Sequence, residues 1–286
     1  MKNIILVLKG FFMGIANVIP GVSGGTIAII LGIYEEFIGA ISNIFKSFKK
    51  NFLYLLPIAI GMGLAIVTTS KVVGYSYDHF PLPTILFFVG LVFGGIPMLL
   101  KNVKGKKESK NVSNYIIAAL TFALVIFMAT YKLIFSMNGE VSFESMDILG
   151  YILLFVVGII AAATMVVPGV SGSLVLMILG YYYPIINTIN SVLKNDIFHN
   201  LIVLGIFGVG VVVGILSISK LLEYLFKKYK IKTYFGVLGF VFASIIAIPL
   251  SACIELDCIT IDALQVVMGI LLLAIGTIIS YKLGEK

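Results

Sequence analysis

The sequence predicts an all-α polytopic membrane protein made of two inverted-topology repeats, and three observations support this prediction. The chain is 60% hydrophobic and only 12% charged, about half the charged share of a typical soluble domain. A Pro-Gly-Val-Ser-Gly sequence interrupts a hydrophobic segment in each half of the chain, at 20–24 and at 168–172. Each half holds an odd number of hydrophobic segments, so the second half enters the membrane from the opposite face.

Ten apolar segments, five in each repeat, predict the individual helices. Most have about the 20 residues that a helix needs to cross the hydrocarbon core, and runs of this length without alternating polarity exclude transmembrane strands. Helices also satisfy the backbone hydrogen bonds inside lipid. We treat 1–286 as a single transmembrane domain, with 1–137 as the first repeat and 138–286 as the second. The segments are 4–19, 23–44, 52–70, 83–100, 115–135, 148–167, 171–192, 201–219, 234–250 and 263–281.

The two halves align over about 75 residues, and this alignment indicates duplication. A shift of 148 residues places Pro20–Gly25 on Pro168–Ser173. The same shift places Tyr34 on Tyr182. One further residue of offset then pairs four positions of the first half with identical residues of the second, namely Gly61 with Gly210, Ser70 with Ser219, Lys71 with Lys220, and Gly90 with Gly239.

Each break is expected to start a short helical arm. Proline removes a backbone donor and glycine permits positive φ, so a helix cannot continue through Pro20–Gly25. The arm Ser23–Ile33 reaches about half the hydrocarbon thickness at 1.5 Å per residue. In the second copy, Ser171–Gly180 precedes the aromatic run Tyr181–Tyr183. We therefore predict that each repeat begins with a re-entrant helical hairpin broken near the midplane, with a fully spanning pair of helices as the alternative.

The basic residues predict the orientation of the chain. All twenty are lysines, and seventeen of them lie on the termini and loops of one predicted face. The other face carries Lys71, Lys132 and Lys194. By the positive-inside rule the lysine-rich face is cytoplasmic, with both termini inside. The net charge of +7 then reports orientation and not nucleic-acid binding; attraction of anionic lipid head groups is the alternative.

Small polar residues around the two breaks predict an anion site. A helix start presents unpaired N–H groups and a partial positive charge, and two such starts that face each other at the midplane suit a phosphate without any cationic side chain. The alternative is that these small residues serve helix packing alone. The candidate substrate-binding residues are Asn17, Pro20, Gly21, Ser23, Gly24, Gly25, Thr26, Gly169, Ser171, Gly172 and Ser173.

Four charged residues are further candidates. Glu35 and Glu36 are predicted to gate access or relay protons, against the alternative of carboxylates at the cytoplasmic interface. Lys71 and Lys220 recur at matched segment ends and are candidates for recruiting anionic head groups, against ordinary snorkelling.

No catalytic residue, cofactor or metal site is predicted. The serines lack a buried histidine or lysine base, and no cluster of histidines and cysteines has metal-ligand spacing. Cys253 and Cys258 share a predicted outer loop, where a disulfide and two free thiols are both open.

The motif Asn17–Thr26, followed by Gly32–Glu35, resembles the signature of the bacterial polyprenyl-phosphate transporters (PopT). The resemblance includes Val167–Gly172 and covers essentially the whole chain. It implies a lipid translocase of the bacterial plasma membrane that returns undecaprenyl phosphate from the outer to the inner leaflet for reuse in cell-wall synthesis. The expected partners are this lipid and the surrounding membrane lipids, with no nucleic acid, and a homo-oligomer is left open.

A second resemblance concerns the undecaprenyl-pyrophosphate phosphatases, whose inverted repeats carry a Pro-Gly-x-Ser-Arg-Ser motif. Gly24 and Gly172 stand at the arginine position here, and the chain has no arginine. Stabilising a pyrophosphate transition state requires more positive charge than this chain offers there. We therefore expect a transporter and not an enzyme. A transporter of another small anion and a membrane lipid phosphatase are the alternatives.

Overall fold

All regular structure in the described part of the chain is helical. The computed structural model describes residues 2–18, 23–134, 141–143, 146–191, 196–255 and 262–284. The α-helices are α1 Lys2–Val18, α2 Gly24–Ile30, α3 Tyr34–Ser42, α4 Phe48–His79, α5 Pro81–Val103, α6 Val112–Ile134, α7 Ile148–Val166, α8 Gly172–Ile178, α9 Tyr182–Ser191, α10 Ile197–Lys228, α11 Lys230–Glu255 and α12 Ala263–Gly284, with a short 3-10 helix at Lys107–Lys110.

In the described ranges, seven helices are long and apolar enough to cross a membrane, and the count rises to eight if α8 and α9 form one bent span. These seven are α4, α5, α6, α7, α10, α11 and α12. Large apolar side chains cover much of their outer surfaces, including Val67, Phe127 and Leu264 at more than half exposure. The chain is therefore an all-helical, multi-pass membrane protein, as its composition predicts.

Two of the ten predicted segments are broken into two helices each. The second segment is interrupted between α2 and α3, where Gly32 has φ +69°. The seventh is interrupted between α8 and α9, where Gly180 has φ +77° and the chain bends by 109°. Glycine adopts positive φ without the steric cost of a side chain. Both short arms therefore end at a glycine of positive φ, and the second arm ends in a sharp turn of the chain.

The two longest helices extend into segments that the sequence prediction placed in loops. Both α4 and α10 have 32 residues, and they continue through 71–79 and 220–228, which the sequence prediction placed outside the apolar segments. A single residue, Tyr229, separates α10 from α11. The predicted segments ended at the first charged residue, but lysine is a good helix former and does not end a helix. Lys71 and Lys220 therefore lie inside helices and not at their ends.

Helix packing follows one pattern in both halves of the chain. Helix α1 packs along α4 and α7 along α10, whereas α5 packs along α12 and α11 along α6. Helices α5 and α11 also contact each other and form the buried centre.

Glycines lie at the close contacts of α1 with α4 and of α7 with α10. A Cβ atom on Gly61 would lie 2.0 Å from the Val7 oxygen, and one on Gly210 would lie 2.3 Å from the Phe155 oxygen. Small residues let helix backbones approach this closely. The two pairs are the same positions under the shift that aligns the halves.

Candidate functional site

The two breaks meet in the interior of the molecule. The amide of Gly169 donates to Thr26 Oγ1 (2.8 Å), and the Tyr34 hydroxyl donates to the Val166 oxygen (3.0 Å). Ser23 Oγ donates a longer bond to the Val167 oxygen (3.4 Å). Residues from the first break and the following turn therefore hold the backbone of the second break, about 140 positions away in the sequence.

A cavity of about 300 Å³ lies where the breaks meet. Its apolar walls come from several helices and include Phe37 and Ile41 of α3, Met62 of α4 and Ile215 of α10. Seven of the eleven candidate substrate-binding residues line it: Asn17, Ser23, Gly24, Gly25, Ser171, Gly172 and Ser173.

Two of the other four candidates, Thr26 and Gly169, lie outside this cavity. Thr26 and Gly169 are buried and bonded to each other. Gly169 has φ +77°, and a Cβ atom there would lie 2.6 Å from the Phe240 oxygen. Both residues therefore join the two breaks and do not line the cavity. Pro20 and Gly21 fall outside the described residues.

The donors of the first break are largely occupied. The amide of Gly24 donates to Asn17 Oδ1 (2.9 Å), and that of Gly25 donates to Ser23 Oγ (3.2 Å). The amide of Thr26 donates to the Ser23 oxygen (3.0 Å). Asn17, predicted as a donor to the ligand, accepts with its oxygen here and keeps its NH₂ group available. The expected set of free amides is therefore largely missing at this helix start.

The second break keeps more of its donors. Ser171 Oγ and Ser173 Oγ share a hydrogen bond (2.9 Å), and Ser171 Oγ also accepts from the Leu174 amide (3.4 Å). Within the described part of the chain, the amides of Gly172 and Ser173 have no acceptor. Because α2 and α8 have seven residues each, the local N–H and O–H groups matter more than a helix dipole.

Glu35 and Glu36 line a different cavity, of about 310 Å³, beside Asn102 and Tyr234. Glu35 Oε2 accepts from Lys230 Nζ at 3.0 Å, and the Tyr234 hydroxyl donates to its other oxygen. Glu35 therefore links α3 in the first half to α11 in the second. The sequence pointed to this carboxylate but not to its partners.

Glu223 is a further acidic residue in this region, which the prediction treated as part of a loop. It lies on α10 and accepts from Ser42 Oγ, from Asn43 Nδ2 (2.7 Å) and from Lys227 Nζ. The spacing of Glu223 and Lys227, four residues apart on one helix, was the available signal. Together, Glu35 and Glu223 hold both ends of α3 against the second half.

The remaining predicted residues are placed as follows. Lys71 and Lys220 are exposed and line neither cavity. Across the described ranges, no group of three or more histidine, cysteine, aspartate or glutamate side chains could hold a metal ion. Cys258 lies outside the described residues, so the pairing of Cys253 with Cys258 stays a prediction.

Residues 13–260 match the model of the VCA0040-like family, described as undecaprenyl phosphate translocase-like. The chain belongs to this family. A polyprenyl-phosphate transporter of Staphylococcus aureus is 34% identical over 243 residues, which cover 85% of this chain and 84% of that protein. A polyprenyl-phosphate transporter of Vibrio cholerae is 32% identical over 237 residues, which cover 78% of this chain and 70% of that protein. No solved structure matches the chain significantly. The resemblance to the polyprenyl-phosphate transporters is therefore confirmed.

Proposed function

We propose that this protein carries undecaprenyl phosphate across the bacterial plasma membrane, from the outer to the inner leaflet, so that the carrier lipid is reused in cell-wall synthesis. Membership of the undecaprenyl phosphate translocase-like family supports transport of a polyprenyl phosphate, as do two relatives named polyprenyl-phosphate transporters. The observation that carries the proposal is the cavity in which Ser23 and Ser171, the matched serines of the two breaks, lie together.

The phosphate head group binds in this cavity. The Ser171 and Ser173 hydroxyls, the free amides of the second break and the Asn17 NH₂ group supply the donors, and none of the lining side chains is cationic. Hydrogen bonds without a paired cation hold a phosphate loosely enough for release. Phe37, Met62 and Ile215 give the cavity an apolar wall, beside which the isoprenoid chain extends.

The breaks belong to re-entrant hairpins in two inverted repeats. The end of the first arm contacts α1 at Lys9, whose Nζ donates to the Leu31 oxygen (2.7 Å). The end of the second arm returns to the segment before α7, where the Val141 amide donates to the Gly180 oxygen (3.3 Å). Both contacts support the re-entrant interpretation, in which each arm turns back towards the face where its own hairpin began.

The lysine-rich face is cytoplasmic, and so are both termini. Contacts within each predicted face support this sidedness. On the lysine-rich face, Asn43 Nδ2 reaches Glu223 (2.7 Å). On the opposite face, His199 Nε2 donates to the Phe143 oxygen (2.8 Å).

Glu35 gates the head-group cavity from the cytoplasmic side. Its contacts with Lys230 and Tyr234 hold the start of α3, and α3 supplies Phe37 and Ile41 to the cavity wall. Release of this contact frees α3 to move away from the cavity. Glu36 lies beside it and is the second candidate for proton coupling, while the exposed Lys71 and Lys220 attract anionic head groups at the two leaflets.

The test uses proteoliposomes that contain a fluorescent undecaprenyl phosphate. We expect the wild type to move the lipid between leaflets, measured as protection from an added reductant, without release of inorganic phosphate. The Ser23→Leu/Ser171→Leu double variant fills the cavity and is expected to abolish movement, while Ser171→Ala/Ser173→Ala removes hydroxyls without added bulk and is expected to slow it. Thr68→Leu, at an exposed hydroxyl bonded within its own helix, is the matched control.

Two results count against the proposal. Release of inorganic phosphate would indicate a lipid phosphatase. Normal movement of the lipid in the Ser23→Leu/Ser171→Leu variant would show that the head group crosses elsewhere.

A further inference from the structure

A third cavity, of about 400 Å³, lies between α6, α10 and α11 and reaches the second break. Its lining is almost entirely apolar and includes Ile117, Leu222, Leu225 and Phe240, with Val167 and Pro168 at the break. We call it the α11 groove. It shares no lining residue with the head-group cavity.

The α11 groove runs from the lysine-rich end of α11 to the second break. Lys232, Gly236 and Phe240 line it at intervals of four residues on one helix face. Eight residues of helix span about 12 Å. Its deep end touches the break, because a Cβ atom on Gly169 would lie 2.6 Å from the Phe240 oxygen. The groove is therefore a continuous apolar path between the cytoplasmic end of α11 and the site where the two halves meet.

The mouth of the groove is cationic. The ammonium groups of Lys228 and Lys232 lie 5.4 Å and 5.8 Å from the centre of the Tyr229 ring. Neither lysine forms an ion pair within the described ranges, where the two ion pairs involve Lys227 and Lys230. An anionic group at the mouth would meet two lysines whose charges no carboxylate neutralises.

Gly236 leaves the middle of the groove without a side chain. It lies inside α11 and lines the groove, yet a Cβ atom there would make only ordinary contacts, with the methyl groups of Ile117 (3.4 Å) and Thr121 (3.7 Å). One helical turn on, Gly239 is required by packing, because its Cβ would lie 2.2 Å from the Ala118 oxygen. Glycine inside a helix costs about 1 kcal/mol relative to alanine. At Gly236 packing does not require a glycine, and a larger side chain there would enter the groove.

We propose that the α11 groove binds the isoprenoid chain of a polyprenyl phosphate whose phosphate rests on Lys228 and Lys232. This docking position in the cytoplasmic leaflet rests on the proposed function and adds a second lipid site to it. The cationic mouth selects an anionic head group. A 400 Å³ apolar space is of the size of a small-molecule site, which suits part of one isoprenoid chain better than the two acyl chains of a phospholipid.

The test compares binding of radiolabelled undecaprenyl phosphate and geranyl phosphate to the purified full-length protein. In the wild type, we expect the longer chain to bind more tightly. Gly236→Leu fills the groove and is expected to weaken undecaprenyl phosphate binding about tenfold, the loss expected when about two methylene groups are no longer buried. Geranyl phosphate is expected to lose affinity as well, because its chain is long enough to pass Gly236. Gly208→Leu is the control, since Gly208 lies inside α10 with open space at its Cβ. Lys232→Gln is expected to weaken binding of both lipids, with Lys101→Gln as its control.

Each outcome decides the proposal. Wild-type affinity for undecaprenyl phosphate in Gly236→Leu overturns it, and so does equal displacement of the label by phosphatidylglycerol. If Gly236→Leu does not reach the membrane, Gly236→Ala is used instead. It is expected to lose less affinity, and wild-type affinity in this variant would also overturn the proposal. Wild-type movement of the lipid is measured in the same preparations. Its absence rejects the proposed function and the groove with it, whereas normal movement with normal binding by Gly236→Leu rejects the groove alone.

Discussion

Among the described residues, Glu35 forms the ion pair that connects the two halves of the chain. It bonds Lys230 and Tyr234 of α11 from the first turn of α3. The Glu35 and Lys230 side chains are 40% and 48% exposed, so solvent screens the pair and its contribution to stability is below about 1 kcal/mol. Its importance lies in where it holds α3, because the same short helix forms a wall of the head-group cavity.

The first prediction concerns this ion pair. Glu35→Gln and Lys230→Gln are each expected to lower the unfolding free energy by less than about 1 kcal/mol. Transport is expected to be slower by up to about fivefold, since about 1 kcal/mol shifts a two-state equilibrium by that factor. The double variant should behave as either single one, because both remove the same contact. Fluorescent lipid movement and thermal unfolding in detergent measure the two effects.

Glu108→Gln is the control, at an exposed carboxylate in the 3-10 helix. Equal transport rates for Glu35→Gln and this control would contradict the gating role.

The matched serines show that two copies of one motif can form different contacts. Ser23 and Ser171 occupy the same position of the same sequence, and each caps a seven-residue helix. Ser23 also bonds the Val167 oxygen, whereas Ser171 bonds Ser173. The sequence predicted equivalent anion donors at both. The Ser171 contact is local, because Ser173 stands where the first copy has Gly25. The Ser23 contact depends on Val167 of the other half, which no local pattern reveals.

Among the helix contacts, that of α1 with α4 corresponds closely to that of α7 with α10. The two contacts are formed at corresponding positions, through Gly61 in one half and Gly210 in the other. In lipid, helix association depends on close van der Waals packing, since hydrophobic burial from water no longer drives it. These glycines therefore contribute to stability by allowing backbone approach.

The second prediction tests that contribution. Gly61→Ala is expected to destabilise the protein by about 1–3 kcal/mol, the cost of overpacking a close contact, seen as a lower thermal unfolding temperature in detergent. Gly63 lies on the same helix with nothing within 4 Å of its Cβ position, so Gly63→Ala is expected to be neutral or slightly stabilising. The same contrast is expected between Gly210→Ala and Gly208→Ala. Equal effects within either pair would refute the close-approach interpretation.

At the scale of the whole molecule, the lysine distribution and the tertiary contacts give one consistent sidedness. The predicted cytoplasmic segments contact each other through Asn43 and Glu223. The predicted outer segments contact each other through Phe143 and His199. Two repeats of five segments make an even total, so both termini are expected on one face, the face that carries most lysines.

The third prediction is the resulting orientation. In a variant whose Cys253 and Cys258 are replaced by serine, a cysteine introduced by Asp196→Cys is expected to react with a membrane-impermeant maleimide in intact cells. One introduced by Lys107→Cys is expected to react only after permeabilisation. Both positions are exposed, so unequal burial does not explain a difference. The reverse pattern would invert the proposed topology.

The sequence by itself determined the class of the molecule. Apolar segments of membrane-spanning length can satisfy their backbone only as helices, so composition and segment length suffice for an all-helical membrane protein. The candidates around the Pro-Gly breaks also include every described polar side chain that lines the central cavity. These features are local, because proline and glycine act on the backbone where they stand.

The tertiary structure decided which groups act together. It bonded Thr26 to Gly169 between the two breaks, and neither residue lines the central cavity. It also gave Glu35 its partners on α11 and placed Gly236 beside an open groove. The physical reason is that hydrogen bonding, burial and free space depend on atoms that approach from distant parts of the chain. Two copies of one motif therefore acquire different roles once they pack against each other.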